Sequence, residues 1–300
     1  MFHMKHNEKM KTICPWCQSD QSILYLKLKD EFLTKEDFQI YECQDCGLLY
    51  TEPRPEKDKI GFYYQSEEYY SHQENKRGFI PKIYELVKSV NLKNKYKITT
   101  KGLPQGRILD IGCGAGDFLH TMEQNGWQTL GAEPSEVAIN IARKRIKGQI
   151  ITPEEIANLP DESFEVITMW HVLEHVENLT WQIAQLKRLL KKGGRLVLAL
   201  PNFKSFDAQY YKQYWAAYDV PRHLNHFCKL TVVKIFSNSG LKIQDTQKLY
   251  WDAFYISFMS EKFKKHSLPL LRGFVKGCQS NMKARQTGEW SSLVYIFEKK

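Results

Sequence analysis

From residue 107 the chain alternates short apolar runs with amphipathic stretches. "RILDI" (107–111) reads as a strand, followed by the Gly-rich "GCGAG" and the helical pattern "DFLHTMEQNG". "WQTLGAE" predicts a second strand and "SEVAINIARKRI" a second helix, while "QIIT" and "FEVITMW" predict strands three and four. In "LTWQIAQLKRLLKKGG" apolar residues recur at helical spacing up to a glycine stop, and "RLVLALPN" follows as a fifth strand. "KLTVVKIFSNSG", "LKIQDTQKLY" and "SLVYIFEKK" add a helix and two strands. Repeated β–α order predicts an α/β fold, a parallel sheet with helices on both faces. Two segments rich in aromatic and polar residues interrupt it, 203–228 and 250–290. Insertions at the carboxyl ends of parallel strands commonly build ligand sites.

Upstream the pattern differs. "CPWC" (Cys14, Cys17) and "CQDC" (Cys43, Cys46) stand 25 residues apart around the strand-like "SILYLKLK". Two CxxC turns complete a tetrahedral four-thiolate shell, which favours zinc and leaves no open coordination position, so a structural ion is expected. Residues 1–55 are therefore expected to form a zinc ribbon, 56–100 a helical, aromatic linker or cap, and 101–300 the main domain.

Composition narrows the class. Of 300 residues, 42% are hydrophobic and 26% charged, as in ordinary globular proteins, and no apolar run approaches the length of a membrane span. The polar, basic start "MFHMKHNEKMKTI" has no apolar signal core, so the cytoplasm is the expected location. In that reducing compartment the CxxC pairs read as metal ligands rather than disulfides. The formal net charge of +9 would favour anionic partners, although the basic residues are scattered. The aromatic, basic "WDAFYISFMSEKFKKH" is compatible with core packing or with contact at a membrane surface.

The chemistry concentrates at "DIGCGAGD". Its glycines, Gly112, Gly114 and Gly116, form GxGxG; the third glycine of a dinucleotide fingerprint would fall on Asp117, an acid that suits a pyrophosphate poorly. Glu133, at the end of the second strand, is placed to grip ribose hydroxyls. These features imply an adenosine ligand with a cationic or zwitterionic tail, as in S-adenosylmethionine. In order and spacing, "RILDIGCGAGDFL", "GAEPS", "FEVITMWHVLEHV" and "LKKGGRLVLALPN" resemble the class I S-adenosylmethionine-dependent methyltransferases over roughly residues 100–245. The resemblance implies a Rossmann-like sheet of seven strands whose last runs antiparallel. It also implies cofactor contacts from Asp110, Gly112, Cys113, Gly114, Gly116, Glu133, Pro134, Trp170 and His171. The acid that the family places near the adenine amine has no clean match, Glu154 being the nearest.

Two polar stretches are candidates for the transfer step. In "WHVLEHVEN" (170–178), His171, Glu174 and His175 would share one face if helical. In "YDVPRHLNHF" (218–227), His223 or His226 is the candidate general base, with Tyr218 or Arg222 orienting the acceptor. "HVLEH" also resembles the metal-binding "ExxEH" of ubiquinone-pathway and small-RNA methyltransferases, with His171 replacing the first glutamate, a change that disfavours magnesium. The expected function is transfer of a methyl group to O, N or C of a small molecule or glycan. The alternatives are an RNA methyltransferase, possibly metal-dependent, and a zinc-ribbon binding protein without activity.

Overall fold

The computed structural model describes residues 12–64, 79–237 and 239–300. Part of the predicted aromatic cap, 65–78, lies outside them.

The main sheet has seven strands: β4 (Arg107–Ile111), β5 (Gln128–Ala132), β6 (Gln149–Ile151), β7 (Phe164–Trp170), β8 (Leu190–Pro201), β10 (Leu241–Lys248) and β11 (Ser292–Lys299). Their spatial order is β10-β11-β8-β7-β4-β5-β6. Strands β6, β5, β4, β7 and β8 are parallel, whereas β11 runs antiparallel to both β8 and β10. This is the seven-stranded arrangement with an antiparallel last strand that the resemblance implied. The order reverses beside β4, and in open α/β sheets such a switch point opens a crevice at the strands' carboxyl ends. Strand β8 begins at Leu190, ahead of the predicted glycine stop, because α5 (Leu179–Leu189) passes directly into it.

The other helices are α1 (Lys57–Ile60), α2 (Phe79–Thr100), α3 (Asp117–Gln124), α4 (Glu136–Arg145), α6 (Phe206–Tyr211), α7 (Lys229–Phe236), α8 (Asp252–Phe263) and α9 (Pro269–Thr287). The second insertion is thus an α8–α9 hairpin. The first is compact, with Tyr211, Trp215, Tyr218 and Phe227 all buried.

The N-terminal module is a sheet of β1 (Ser22–Lys29), β2 (Asp37–Cys43) and β3 (Leu49–Glu52), completed by β9 (Asn225–His226). Leu49 pairs with His226 and Tyr50 with Asn225, so the module takes its fourth strand from the methyltransferase-like domain. A buried ion pair reinforces the junction. Arg222 Nη2 donates to Asp30 Oδ1 at 2.8 Å and to Asp219 Oδ1 at 2.7 Å. Asp30 also accepts from the backbone N–H groups of Phe32, Leu33 and Thr34. Burial alone would raise the Asp30 carboxyl, but the Arg222 guanidinium and these N–H groups hold it below the ordinary range. Its contribution to stability is therefore present above the unfolded carboxyl's pKa and is lost as pH falls through the lowered folded value. Arg222→Ala, which strands a buried carboxylate, is expected to destabilise the protein by about 3–5 kcal/mol. Urea denaturation at neutral pH checks this, and the deficit should shrink in acid.

Candidate functional site

The loop after β4 carries the central geometry. Gly112, Gly114 and Gly116 have φ of +72°, +53° and +77°, values that favour glycine over residues with a Cβ. A Cβ on Gly112 would lie 2.3 Å from Val172 Cγ2, whereas one on Gly114 would meet no atom within 4 Å. Gly112 thus lets the loop after β7 close in, and Gly114 presents bare backbone to open space. Gly112 N–H and Cys113 N–H donate to Ala132 O at 2.7 and 3.2 Å, tying the loop to β5. Glu133 completes the tie: Oε2 accepts from Gly114 N–H at 2.9 Å and Oε1 from Ser135 N–H at 3.0 Å.

A cleft of about 670 Å³ opens over this loop, within the range of small-molecule sites. Asp110, Gly112, Cys113, Gly114, Trp170 and His171 line it, together with Asp117, Lys95 from α2, and Tyr250, Trp251 and Asp252 at the start of the second insertion. Glu133 supports the loop from behind. Gly116 and Pro134 are outside the lining, and Gly116 instead caps α3. Glu154 is exposed in the turn after β6, where its neighbour Glu155 folds back onto Thr152 N–H at 2.7 Å.

Charge in the cleft is arranged around carboxylates. Burial pushes the Asp110 carboxyl up to about 7, although Thr168 Oγ1 donates to it at 2.5 Å. Asp117 pairs with Lys88 at 2.9 Å and with Arg145. Lys95 Nζ lies 4.5 Å from the centre of the Trp170 ring, and burial pushes its pKa down despite the pull of Asp110, Asp252 and Asp117. The buried indole N–H of Trp170 has no hydrogen-bond partner among the described residues. Bare loop backbone and an unpaired indole donor suit an adenosine ligand.

The stretch 171–175 is not the helical face considered from sequence. Strand β7 ends at Trp170, His171 takes a left-handed φ of +58°, and Leu173–His175 is a single 3-10 turn. The turn still gathers the polar groups. His171 Nε2 lies 3.1 Å from Asp252 Oδ2 and its Nδ1 3.4 Å from Glu174 Oε1. Burial alone would lower the His171 pKa, but these two carboxylates outweigh it and hold it up at about 10, so the ring is cationic at neutral pH.

Beneath it, Glu174, His175 and His223 each bring a ligand-capable atom within 4.8 Å of the others. Glu174 is buried, and neither of its oxygens has a hydrogen-bond partner among the described residues. His175 Nδ1 and His223 Nδ1 each lie 2.9 Å from a backbone carbonyl, of Arg222 and Ala217. Carbonyls only accept, so in both rings Nδ1 carries a proton. Burial pushes the His175 pKa down to about 4. One carboxylate and two imidazoles could hold a divalent ion.

Tyr218, Arg222, His223 and His226 all lie off the cleft. Thr51 Oγ1 donates to His223 O at 2.7 Å and therefore accepts from His226 Nε2–H at 2.9 Å, which ties that ring to the N-terminal module. Burial pushes the His226 pKa well down. Tyr218 packs edge-on against His226 with ring centres 5.4 Å apart. Asp252 and Lys95 were missed from sequence: each lies far along the chain from the residues it meets, and no motif marks either.

The four cysteines form a second site. Cys14 Sγ is 3.6 Å from Cys46 Sγ, and Cys17 Sγ is 3.5 Å from Cys43 Sγ. Zinc–sulfur bonds of about 2.3 Å in a tetrahedron put the sulfurs roughly 3.8 Å apart, so the cluster fits a zinc ion with minor expansion. The hydrogen bond from Cys46 pushes the Cys14 thiol down to about 5, while burial pushes Cys17 up to about 11.

Comparison with known proteins agrees with the cleft. A family profile described as a methyltransferase domain matches residues 83–246, more than half of the chain. The chain is 26% identical over 170 residues to a ubiquinone biosynthesis O-methyltransferase of Alkalilimnicola ehrlichii, covering 50% of this chain and 69% of that one. It is 28% identical over 159 residues to an uncharacterised protein of Methanocaldococcus jannaschii, covering 53% and 76%. In fold it is similar to magnesium protoporphyrin IX methyltransferase of Synechocystis, solved with S-adenosylhomocysteine, at a TM-score of 0.53 and 16% identity over 82% of this chain and 100% of that one. It is likewise similar to an S-adenosylmethionine-dependent methyltransferase of Archaeoglobus fulgidus, at a TM-score of 0.50 and 21% identity over 78% and 100%. The sheet order, the Gly-rich cleft and the family match converge: this chain belongs to the class I S-adenosylmethionine-dependent methyltransferases.

Proposed function

We propose that the enzyme methylates an oxygen, nitrogen or carbon atom of a small molecule or glycan held at the His171 end of the cleft. The observation that carries this reading is the wall at that end. His171, Asp252, Tyr250 and Trp251 bound it with two aromatic faces and one imidazolium–carboxylate pair. Such a wall suits a compact acceptor with one polar group. The name of the ubiquinone biosynthesis relatives supports the same class.

In this reading Asp110, Gly112, Cys113, Gly114, Glu133, Trp170 and His171 hold the cofactor, which when bound supplies a methyl group already activated by sulfonium charge, while Gly116 only shapes the turn into α3 and Pro134 stays outside the cleft. Glu133 takes the ribose with the lone pairs left by Gly114 and Ser135. Cationic His171 positions the acceptor, held from two sides by Asp252 and Glu174. His223, behind Glu174, is the proton acceptor, and His226 and Tyr218 keep its layer in place. Much of the rate then comes from alignment of the reactants. The four cysteines hold a structural zinc ion, and the protein acts in the cytoplasm.

A second reading is RNA methylation with a divalent ion on Glu174, His175 and His223, favoured by the buried Glu174 Oε2, which has no hydrogen-bond partner among the described residues of that cluster. Transfer of labelled methyl from S-adenosylmethionine into fractionated cell extract distinguishes the two. Label in low-mass or glycan fractions, indifferent to ribonuclease and to salt, is the expected result. Label that ribonuclease removes, with binding that falls steeply as salt rises, would replace it with the RNA reading.

A further inference from the structure

The α8–α9 hairpin presents a surface that the methyltransferase reading leaves unused. At 100° per residue, α9 divides into three sectors. Gly273, Gly277, Ser280 and Ala284 form its buried side, and the backbone of α8 comes so close that a Cβ on Gly273 would lie 2.6 Å from Phe258 Cα. Turned away from that side is an apolar stripe of Leu270, Leu271, Phe274, Val275 and Met282, of which Leu270 is 72% and Leu271 60% exposed. Arg272, Lys276 and Lys283 run along the sector between them.

Charge on the hairpin is one-sided. Residues 251–287 contain seven Lys and Arg against two acids, Asp252 and Glu261, a surplus of five within a chain of net charge +9. Buried Glu261 takes up the charge of Arg272, and Asp252 holds His171, so five lysines and Arg285 remain to carry the surface charge. An exposed apolar stripe edged by cations fits a surface that offers both hydrocarbon and negative charge. A second copy meeting this face about a two-fold axis would oppose cation to cation. Nucleic acid would leave the leucines in water.

We propose that the outer face of the α8–α9 hairpin docks on anionic phospholipid bilayers, with the α9 stripe in the interface and the cations among the headgroups. The stripe reaches the mouth of the cleft through a chain of rings: Trp251, which lines that mouth, packs against Phe254 of α8, and Phe254 stacks on Phe274 of the stripe. Docking would therefore carry the acceptor end of the cleft to the lipid surface. No helix among the described residues is long and apolar enough to cross a membrane, so the contact is peripheral.

Vesicle flotation with the full-length protein tests this, using phosphatidylcholine alone and phosphatidylcholine with phosphatidylglycerol. The protein is expected to float with the anionic vesicles and not with the neutral ones. Leu270→Asp with Leu271→Asp should reduce the bound fraction at least about tenfold, because it removes the two most exposed apolar side chains of the stripe from the interface. Lys276→Glu with Lys283→Glu should also reduce it without altering the stripe. All these residues lie outside the cleft, so S-adenosylhomocysteine binding should be unchanged and serves as the folding control. The proposal is overturned if the wild type floats with neither vesicle, if it floats equally with both, or if neither variant changes flotation. A concentration-dependent dimer abolished by the leucine substitutions would assign the face to a second copy instead.

Discussion

Glu133→Ala is expected to weaken S-adenosylhomocysteine binding by at least about a hundredfold, a change of roughly 2.7 kcal/mol. Two losses combine. The carboxylate proposed to hold the ribose disappears, and so do the hydrogen bonds that pin Gly114 N–H and Ser135 N–H. Hydrogen bonds to a charged group contribute about 1.5–3 kcal/mol each, and a loop that must be ordered by the ligand takes that cost from affinity. Glu133→Gln is expected to recover little, because its amide nitrogen would face one of those N–H donors. Isothermal titration calorimetry measures the effect, with thermal melting of the ligand-free variants to confirm that the sheet persists. Affinity within threefold of wild type would remove Glu133 from the cofactor site.

Cys43→Ser should have a comparably large effect in another part of the molecule. Cys43 is the last residue of β2, fully buried, and its thiol lies 3.5 Å from that of Cys17. A serine hydroxyl is a poor zinc ligand, and structural zinc sites contribute on the order of 10 kcal/mol to folding. Bound zinc is expected to fall from about one ion per chain to near zero, as measured by mass spectrometry of the purified protein. Methyl transfer should fall with it, because β3 pairs with β9 and Thr51 holds both His223 O and His226 Nε2. A variant that keeps its zinc would sink the four-thiolate assignment. One that loses zinc yet keeps full activity would show that the module does not support the His223 layer.

The sheet was legible because its signals are local. Apolar runs, glycine stops and the GxGxG turn each sit within about ten residues, and right-handed β–α connection leaves few ways to arrange them. Glu133 was legible for the same reason, since its place at the end of β5 follows from the strand pattern. The acceptor end was not. His171 is cationic because Asp252, some eighty residues further on, is brought beside it by the hairpin, and no periodicity in either segment encodes that meeting. "RHLNHF" gave its histidines but not their duties. That Asn225 and His226 would become a strand of the N-terminal sheet depends on β3, which reads as a short apolar run able to pair with many partners. "WHVLEHV" had helical spacing, yet the approach of Val172 to Gly112 sets the backbone there instead.

The position of β11 also constrains how the molecule is made. It lies between β8 and β10, both earlier in the chain, with Leu293 to Phe297 buried throughout. While the ribosome is still supplying residues before 292, the edges of β8 and β10 have no partner, and the antiparallel end of the sheet cannot close. The five parallel strands can assemble around β4 during synthesis, leaving an open hydrophobic edge until the last strand is inserted. Such a topology delays closure of the sheet until β11 has been made, and leaves the β8 edge unpaired in the interval.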